Sequence, residues 1–348
     1  MSSKEGKRET PVGILGAGRM GQVHAGLIAA TRGLRLAAVS SRSPGLREKV
    51  ASRYSVRTYP THEQLLEDPD LQWIVIATYT HQHRQWAAEA LRRGKSLIIE
   101  KPIALNLGEA EEIFAAARKQ GLQVTVHQNR RWDSDFQLVQ KLIQEGRLGE
   151  VYRIESRYTN FSSDWAGWGA QGLENPWRLK EAYGGGMLND WGPHLFDQLL
   201  LLAGQDVLSL FGRLEARVWS REVDDHFWAE LLFAGGVSAR VEASNNFRLP
   251  LPRWNILGSV GCLQVAGGGP EQWSSAVLRR DSSDPNAPPR ETRYDIEQPE
   301  LSEGFYSEFA AALRSGEPLP VQAEQVLGAM RLMDAVRESS RRGEAVKP

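Results

Sequence analysis

The chain has 348 residues, with 42 Lys and Arg against 43 Asp and Glu and a formal net charge of -1. That length fits two domains better than one core, and the balanced charge gives no argument for nucleic acid or an anionic membrane as partner. No apolar run approaches the roughly 20 residues of a spanning helix, and the single Cys262 excludes an internal disulfide or a cysteine-based zinc site. Cys262 itself reads as a small buried hydrophobe, and no metal site is expected. Residues 1–10 are polar, lack the apolar core of a secretory signal and read as a flexible tail, which points to the cytoplasm.

Val12-Gly13-Ile14-Leu15 is a short apolar strand that runs into Gly16-Ala17-Gly18-Arg19-Met20-Gly21, and a helical pattern (Val23, Leu27, Ile28) follows at once. This is the G-x-G-x-x-G pattern between a strand and a helix, where backbone N–H groups at a helix start meet a pyrophosphate. Gly16, Gly18, Arg19, Met20 and Gly21 are therefore candidate dinucleotide contacts. The next strand, Leu34 to Val39, runs into Ser40-Ser41-Arg42-Ser43. No carboxylate stands there to accept from a ribose 2′-hydroxyl, and Ser41 with Arg42 suits a 2′-phosphate. NADP(H) is the favoured cofactor and NAD(H) remains open.

Thr61-His62-Glu63-Gln64 has the spacing of a capping box. Trp73–Ala77 reads as a strand, His83–Arg93 as a helix, Ser96–Ile99 as a strand, Leu107–Gln120 as an amphipathic helix and Val124–Val126 as a strand. Such alternation predicts a doubly wound parallel sheet with ligands beyond the carboxyl strand ends. Thr78-Tyr79-Thr80-His81 and Glu100-Lys101-Pro102 occupy that edge, so Thr78, Tyr79, His81, Glu100 and Lys101 join the cofactor candidates. The Lys101 ammonium is suited to donate to a substrate oxygen.

After Trp132 the pattern changes. A helix over Ser134–Glu145 leads into strand candidates at Glu150–Phe161, Leu210–Trp219, His226–Phe233, Val237–Ser244 and Arg253–Val265. Gly235-Gly236 reads as a hairpin turn. Runs of strands after a helix predict an α+β domain with a large, mostly antiparallel open sheet. The division expected is a Rossmann domain over residues 11–130 and a substrate-binding and oligomerisation domain over 131–348. Between the strands lies Gly184-Gly185-Gly186-Met187-Leu188-Asn189-Asp190-Trp191-Gly192-Pro193-His194. If helical, it sets Asp190 and His194 one turn apart on one face, where a carboxylate orients an imidazole. Trp165 and Trp168 fall in a glycine-rich loop just ahead of it, and indole faces stack on sugar C–H faces. Arg131 and Arg178 either bind an acidic or phosphorylated group of a substrate or simply pair with carboxylates. The segment 281–290, with its prolines, reads as a surface loop, and Arg331, Arg337, Arg341 and Arg342 read as a solvated helix face.

Taken together, the glycine loop with His24, Glu100-Lys101-Pro102, Asn129-Arg130-Arg131-Trp132 and the Gly-Gly-Gly…Asp190…His194…Asp197 stretch resemble the Gfo/Idh/MocA oxidoreductase family, of glucose–fructose oxidoreductase and inositol dehydrogenase type. The resemblance runs from about Pro11 to Val346. It implies an NAD(P)-dependent oxidoreductase acting on a sugar, cyclitol or related polyol. Lys101 would contact the reacting oxygen, His194 exchange its proton and Asp190 support the pair. Asn129, Arg131, Trp165, Trp168 and Arg178 would line the substrate side. It also implies a cis Lys101–Pro102 bond and a homo-oligomer, dimer or tetramer, through the open sheet. Tyr79 departs from the family pattern, which has proline there. Two other activities in the family are alternatives: an NAD-dependent glycoside hydrolase without net redox change, and a non-catalytic sugar or cofactor sensor.

Overall fold

A computed structural model describes residues 9–161, 177–204, 206–282, 286–297 and 303–348. Trp165 and Trp168, most of the N-terminal tail and residues 283–285 of the 281–290 loop lie outside the described residues. Two compact units divide the chain, Met1–Gln128 with Glu303–Glu324 and Asn129–Ser302 with Gln325–Pro348.

The first unit alternates β1 (Thr10–Leu15), α1 (Arg19–Ala30), β2 (Leu34–Ser40), α2 (Pro44–Tyr54), β3 (Arg57–Tyr59), α3 (His62–Leu66), β4 (Trp73–Ile76), α4 (His83–Arg92), β5 (Ser96–Ile99), α5 (Leu107–Lys119) and β6 (Val124–Val126). The strands form one parallel sheet in the order β3-β2-β1-β4-β5-β6. Ile74, Val75, Ile76, Leu97, Ile98 and Ile99 are fully buried, as expected for a sheet covered on both faces. The chain winds outward from β1 to β3, then returns to place β4 on the other side of β1. The crevice at the carboxyl ends of β1 and β4 is therefore a topological switch point, where such sheets bind ligands. α2 and β3 carry almost no apolar pattern, and Val50 is the one buried residue of α2. Their signal is the Ser43-Pro44 pair: Ser43 caps the helix by accepting from the Leu46 N–H, with Pro44 in its first turn.

In the second unit come α6 (Ser134–Gln144), β7 (Val151–Thr159), α7 (Met187–Ala203), β8 (Val207–Glu215), β9 (His226–Phe233), β10 (Ser238–Ser244), β11 (Trp254–Gly258), β12 (Gly261–Val265), β13 (Ser275–Arg280) and β14 (Arg290–Asp295). They build an eight-stranded sheet in the order β14-β13-β12-β11-β7-β10-β9-β8. Among the described residues of this sheet, only the β7–β10 pair is parallel. Helix α7 packs on β7, β9 and β10, over inward residues such as Ile154, Phe227, Ala229, Val241 and Ala243. The opposite face carries a lattice of ion pairs: Arg153 to Glu230, Arg157 to Glu155, Arg240 to Glu230 and Glu242, and His226 to Glu242. Burial pushes the Glu242 carboxyl up, but bonds from His226 and Arg240 outweigh it and hold the group at about 2. Cys262, expected inside, is half-buried, because it alternates with the buried Leu263 and Val265 on β12.

Two strand expectations need correction. Arg253–Val265 is two strands, turning at Ser259-Val260 with Gly258 opposite Gly261. A Cβ on Gly258 would sit 2.2 Å from the Leu148 carbonyl oxygen, so only glycine fits there. The strand expected over Leu210–Trp219 stops at Glu215, because the Asp225 carboxylate collects the following N–H groups of Arg217, Val218, Trp219 and Ser220. Gly235-Gly236 does turn β9 into β10.

The chain closes with α8 (Gly304–Ser315) and α9 (Ala323–Arg342). A single boundary near residue 131 would place both with the second sheet. Residues 303–324 cluster instead with the first unit. Phe309 meets Trp73 edge-on at 4.8 Å, Phe305 meets His127 at 4.9 Å, and Thr125 Oγ1 donates to the Val321 carbonyl at 3.0 Å. No helix among the described residues is long and apolar enough to cross a membrane.

Candidate active site

The glycine loop takes its shape from contacts that exclude side chains. Gly16 has φ +102°, and a Cβ there would lie 2.6 Å from the Ala77 carbonyl oxygen; one on Gly21 would lie 1.9 Å from the Gly16 oxygen. Gly18, the residue ahead of α1, has nothing within 4 Å of its Cβ position. The loop is thus packed against the end of β4 at Gly16 and against itself at Gly21, and is open at the middle glycine, which leaves room for the close approach of a ligand. Arg19 is exposed and Met20 half-buried at the start of α1. Gly16 N–H donates to the Ser40 carbonyl at 3.0 Å, fixing the loop to the end of β2. There Ser41 is buried and Arg42 exposed, and Arg47 Nη1 donates to the Ser41 carbonyl at 2.5 Å.

On the other side of β1, Thr78 and Tyr79 follow β4, and Tyr79 stacks near His81 with ring centroids 6.1 Å apart. Thr78 Oγ1 is buried without a hydrogen-bond partner. A buried hydroxyl left unsatisfied at the switch point is what a bound dinucleotide would explain. The open Gly18, the close-packed Gly16 and Gly21 and this hydroxyl fit a nicotinamide dinucleotide. His83, at the start of α4, sits between two carbonyls, Nδ1 3.0 Å from that of Pro102 and Nε2 3.1 Å from that of Thr78. It ties the two ligand-edge segments together, and burial lowers its pKa, partly offset by those carbonyls.

Glu100 carries Lys101 on a buried polar knot. Its Oε1 accepts from His24 Nε2 at 2.8 Å and His127 Nδ1 at 2.9 Å, and its Oε2 from the Lys101 N–H at 3.2 Å. A carboxylate only accepts, so both rings donate; His24 Nδ1 is then left to accept from Tyr306 O–H at 2.6 Å. Burial raises the Glu100 pKa, and the two histidine bonds outweigh it and hold the group well below the usual carboxylate range. Burial lowers His24, with His127 adding to it. Two imidazoles and a carboxylate are also metal-ligand types, and their ligand atoms lie within 4.8 Å of one another. Here they close on themselves by hydrogen bonds. The Lys101–Pro102 peptide is cis, as the resemblance implied.

In the second unit, the glycine triplet delivers the chain into α7. Gly184 and Gly186 have φ of +75° and +103°, and a Cβ on Gly185 would lie 2.3 Å from the Arg178 carbonyl. The helix start is held by Asp224, whose carbonyl accepts from Met187 N–H at 2.8 Å and whose carboxylate accepts from Leu188 N–H at 2.7 Å. Burial pushes the Asp224 carboxyl up to about 6. Asp190 and His194 are both in this helix, four residues apart and hence on one face. His194 is buried, edge-on to Trp191 at 5.8 Å. Trp191 stacks on Tyr158 at 3.7 Å, and Arg130 lies 4.4 Å over its ring. Burial, then the charge of Asp190, pushes Tyr158 up to about 12.

Both candidate arginines pair inside the fold. Arg178 Nε is 3.5 Å from Asp190 Oδ2, and its guanidinium lies over Trp177. Arg131 is buried and grips Asp197 of α7 with two bonds, 2.7 Å from Nε and 2.6 Å from Nη2, and donates from Nη1 to Gln325 at 3.0 Å. These bonds tie it to the helix. Asn129 opens the short 3-10 turn Asn129–Trp132. Sequence reasoning missed the supports beneath α7: Arg253, fully buried, bonds Ser156 Oγ at 2.6 Å and Gln198 Oε1 at 2.5 Å and pairs with Asp135 at 3.4 Å. Burial brings Arg253 down to about 10, with Asp135 opposing. Arg337, read as part of a solvated face, donates to Asn189 Oδ1 at 2.6 Å. Arg253 stands among apolar residues, which was its signal in the sequence; Arg337, between Val336 and Glu338, had none.

Comparison with known proteins agrees with this geometry. Residues 10–128 match a family model described as the oxidoreductase family with NAD-binding Rossmann fold, and residues 136–264 the GFO/IDH/MocA C-terminal domain. The chain is 29% identical to oxidoreductase YdgJ of Escherichia coli, covering 95% of this chain and 96% of that one. It is 26% identical to the scyllo-inositol 2-dehydrogenase (NADP(+)) IolW of Bacillus subtilis, covering 95% and 93%. Among solved structures, an NAD-binding protein from Listeria innocua superposes with a TM-score of 0.84 at 29% identity, over 98% of this chain and 97% of that one. Both units match over most of their length, the glycine cradle stands at the switch point, and the relatives are oxidoreductases. The protein is an NAD(P)-dependent oxidoreductase and belongs to the Gfo/Idh/MocA family.

Proposed function

We propose that the protein is a dehydrogenase or reductase that prefers NADP(H) and acts on a carbinol carbon of a sugar, cyclitol or related polyol. The observation that carries the cofactor reading is the end of β2, where Ser41 and Arg42 stand and no carboxylate does. The substrate class rests on relatives: IolW, and an inositol 2-dehydrogenase of Rhizobium meliloti that is 30% identical over 57% of this chain and 56% of its own. Trp165 and Trp168 are the proposed stacking surface for the ring of the substrate.

Bound nicotinamide supplies the hydride acceptor or donor. The chain supplies proton handling and charge stabilisation. In the oxidation direction His194 accepts the hydroxyl proton and Asp190 supports the resulting charge, while Lys101 donates to the oxygen as it becomes an alkoxide. Reduction reverses these steps. These roles are carried by the family resemblance.

Calorimetric titration with NADPH and with NADH tests the cofactor reading. Tight NADPH and weak NADH binding is expected, and would fix the cofactor for a polyol screen at 340 nm. The reverse preference would make Arg42 a bystander. We also propose a homo-oligomer through the ion-paired face of the eight-stranded sheet, whose charged groups are already half-buried in one chain. Native mass spectrometry is expected to show a dimer or tetramer; monomer alone at micromolar concentration would sink this reading.

A further inference from the structure

We propose that His62 is part of the 2′-phosphate site and takes up a proton when NADP(H) binds, so that the preference for NADP(H) over NAD(H) weakens as pH rises. This rests on the cofactor reading above and adds to it a residue and a proton.

The placement follows from the sheet. β2 and β3 run side by side, with Ser40 opposite Tyr59 and the Ser41 N–H donating to the Tyr59 carbonyl at 3.1 Å. The turn after β3 therefore delivers His62, the first residue of α3, beside the Ser40–Ser43 loop. Contact is direct: His62 Nδ1 lies 2.7 Å from Ser40 Oγ. Trp86 of α4 closes the other side of the ring edge-on, with centroids 4.8 Å apart. The Trp86 Nε1–H is buried with no hydrogen-bond partner. An orphaned donor there marks a polar site that the protein alone leaves unsatisfied.

Ser40 suits a ring that changes protonation state. Its hydroxyl can donate to a neutral Nδ1. When the ring is charged, Nδ1–H donates to Ser40 Oγ, and that hydroxyl turns to the Ile14 carbonyl, 3.3 Å away. Both states are satisfied without moving the backbone. Nε2–H of the charged ring is then the group for a phosphate oxygen. The charged groups that bear on the ring are Glu63 on its own helix and Arg42 on the loop. Burial lowers the His62 pKa, Glu63 opposes this and Arg42 adds to it. At neutral pH the free protein thus holds His62 neutral. A phosphate of about -1.5 to -2 charge reverses the balance and raises the pKa.

Linkage fixes the sign. A group whose pKa rises on binding strengthens binding below its bound pKa, and the gain is lost as pH climbs through that value. The phosphate's own titration near pH 6 works the other way, so the variant must carry the comparison.

The test is calorimetry of the full chain with NADPH and with NADH between pH 6 and pH 8.5, in two buffers of different ionisation enthalpy. Wild type is expected to take up part of a proton with NADPH and none with NADH. His62→Asn is expected to bind NADPH about tenfold more weakly at pH 6, the scale of one charge-assisted hydrogen bond. Its NADH affinity should be unchanged, its proton uptake gone, and the difference from wild type should close toward pH 8.5. The NADH affinity reports on folding, and His62→Gln is the second variant if asparagine disturbs the α3 start. If either variant keeps the wild-type NADPH affinity and proton uptake, the inference is overturned while the cofactor reading stands. A wild type that does not prefer NADPH overturns both.

Discussion

Replacing His194 with alanine is expected to lower kcat by about 10² to 10⁴, the contribution of a positioned acid–base group. Lys101→Ala is expected to cost at least as much, through loss of the charge that stabilises the developing alkoxide. Each substitution should leave NADP(H) binding nearly intact by calorimetry, since neither side chain builds the glycine cradle at Gly16, Gly18 and Gly21. The loss should appear in kcat more than in KM, because both groups act on a proton and a charge that change only as the reaction proceeds. His194 is buried on α7 one turn from Asp190, and Lys101 follows a carboxylate held by two histidines, so both are placed rather than free on the surface. The measurement uses the substrate found in the 340 nm screen, followed in both directions. Wild-type turnover in either variant would sink the role assigned to that residue. Release of an aglycone with cofactor retained and no change at 340 nm would favour the hydrolase reading instead.

The first unit was legible almost element by element, because each buried parallel strand is a short apolar run and each ligand-edge residue follows one directly. Ser96–Ile99 and Val124–Val126 stand where the runs stand. What escaped was held together by polar groups. α2 and β3 present few apolar residues, and β12 was merged with β11 because alternation passes through the Ser259-Val260 turn. Near the site, Glu100 and Lys101 were visible as a motif, but the knot that holds them joins His24, His127 and Tyr306 from three separate parts of the sequence. Periodicity reports which face a residue takes within its own element. It carries no information on which distant partner satisfies a buried polar atom. The same gap explains Arg131, for which a carboxylate partner remained open: the partner, Asp197, lies on a helix far along the chain, and even for Arg178 the nearby Asp190 is reached only across the turn into that helix.

Asp197→Ala is expected to destabilise the second unit by about 3–5 kcal/mol, because it leaves the Arg131 guanidinium buried without its carboxylate. Arg131 and Asp197 are 7% and 2% exposed and joined by two short bonds. A charge at such a site is costly alone and tolerable only when paired. Burial raises the Asp197 pKa even against the pull of Arg131, so the ionised carboxyl is a net burden in the fold. Its contribution to stability is greatest below the ordinary carboxyl pKa and is lost as pH rises through the raised value. From this it follows that the pair is not itself a large source of stability. The double replacement Arg131→Met with Asp197→Leu is expected to recover most of the loss, since apolar groups of similar volume often match or exceed a buried ion pair. Urea midpoints for Arg131→Met, Asp197→Leu, the double variant and wild type give the cycle directly, with Asp197→Ala measured beside them. A cost below about 1 kcal/mol for Asp197→Ala, within the range of an exposed pair, would mean that Arg131 does not depend on Asp197. The reading of Arg131 as a substrate ligand would then return. A double variant that is stable yet inactive would show that the pair serves the site beyond stability, by setting the angle of α7 and with it Asp190 and His194, or by the contact of Arg131 with substrate.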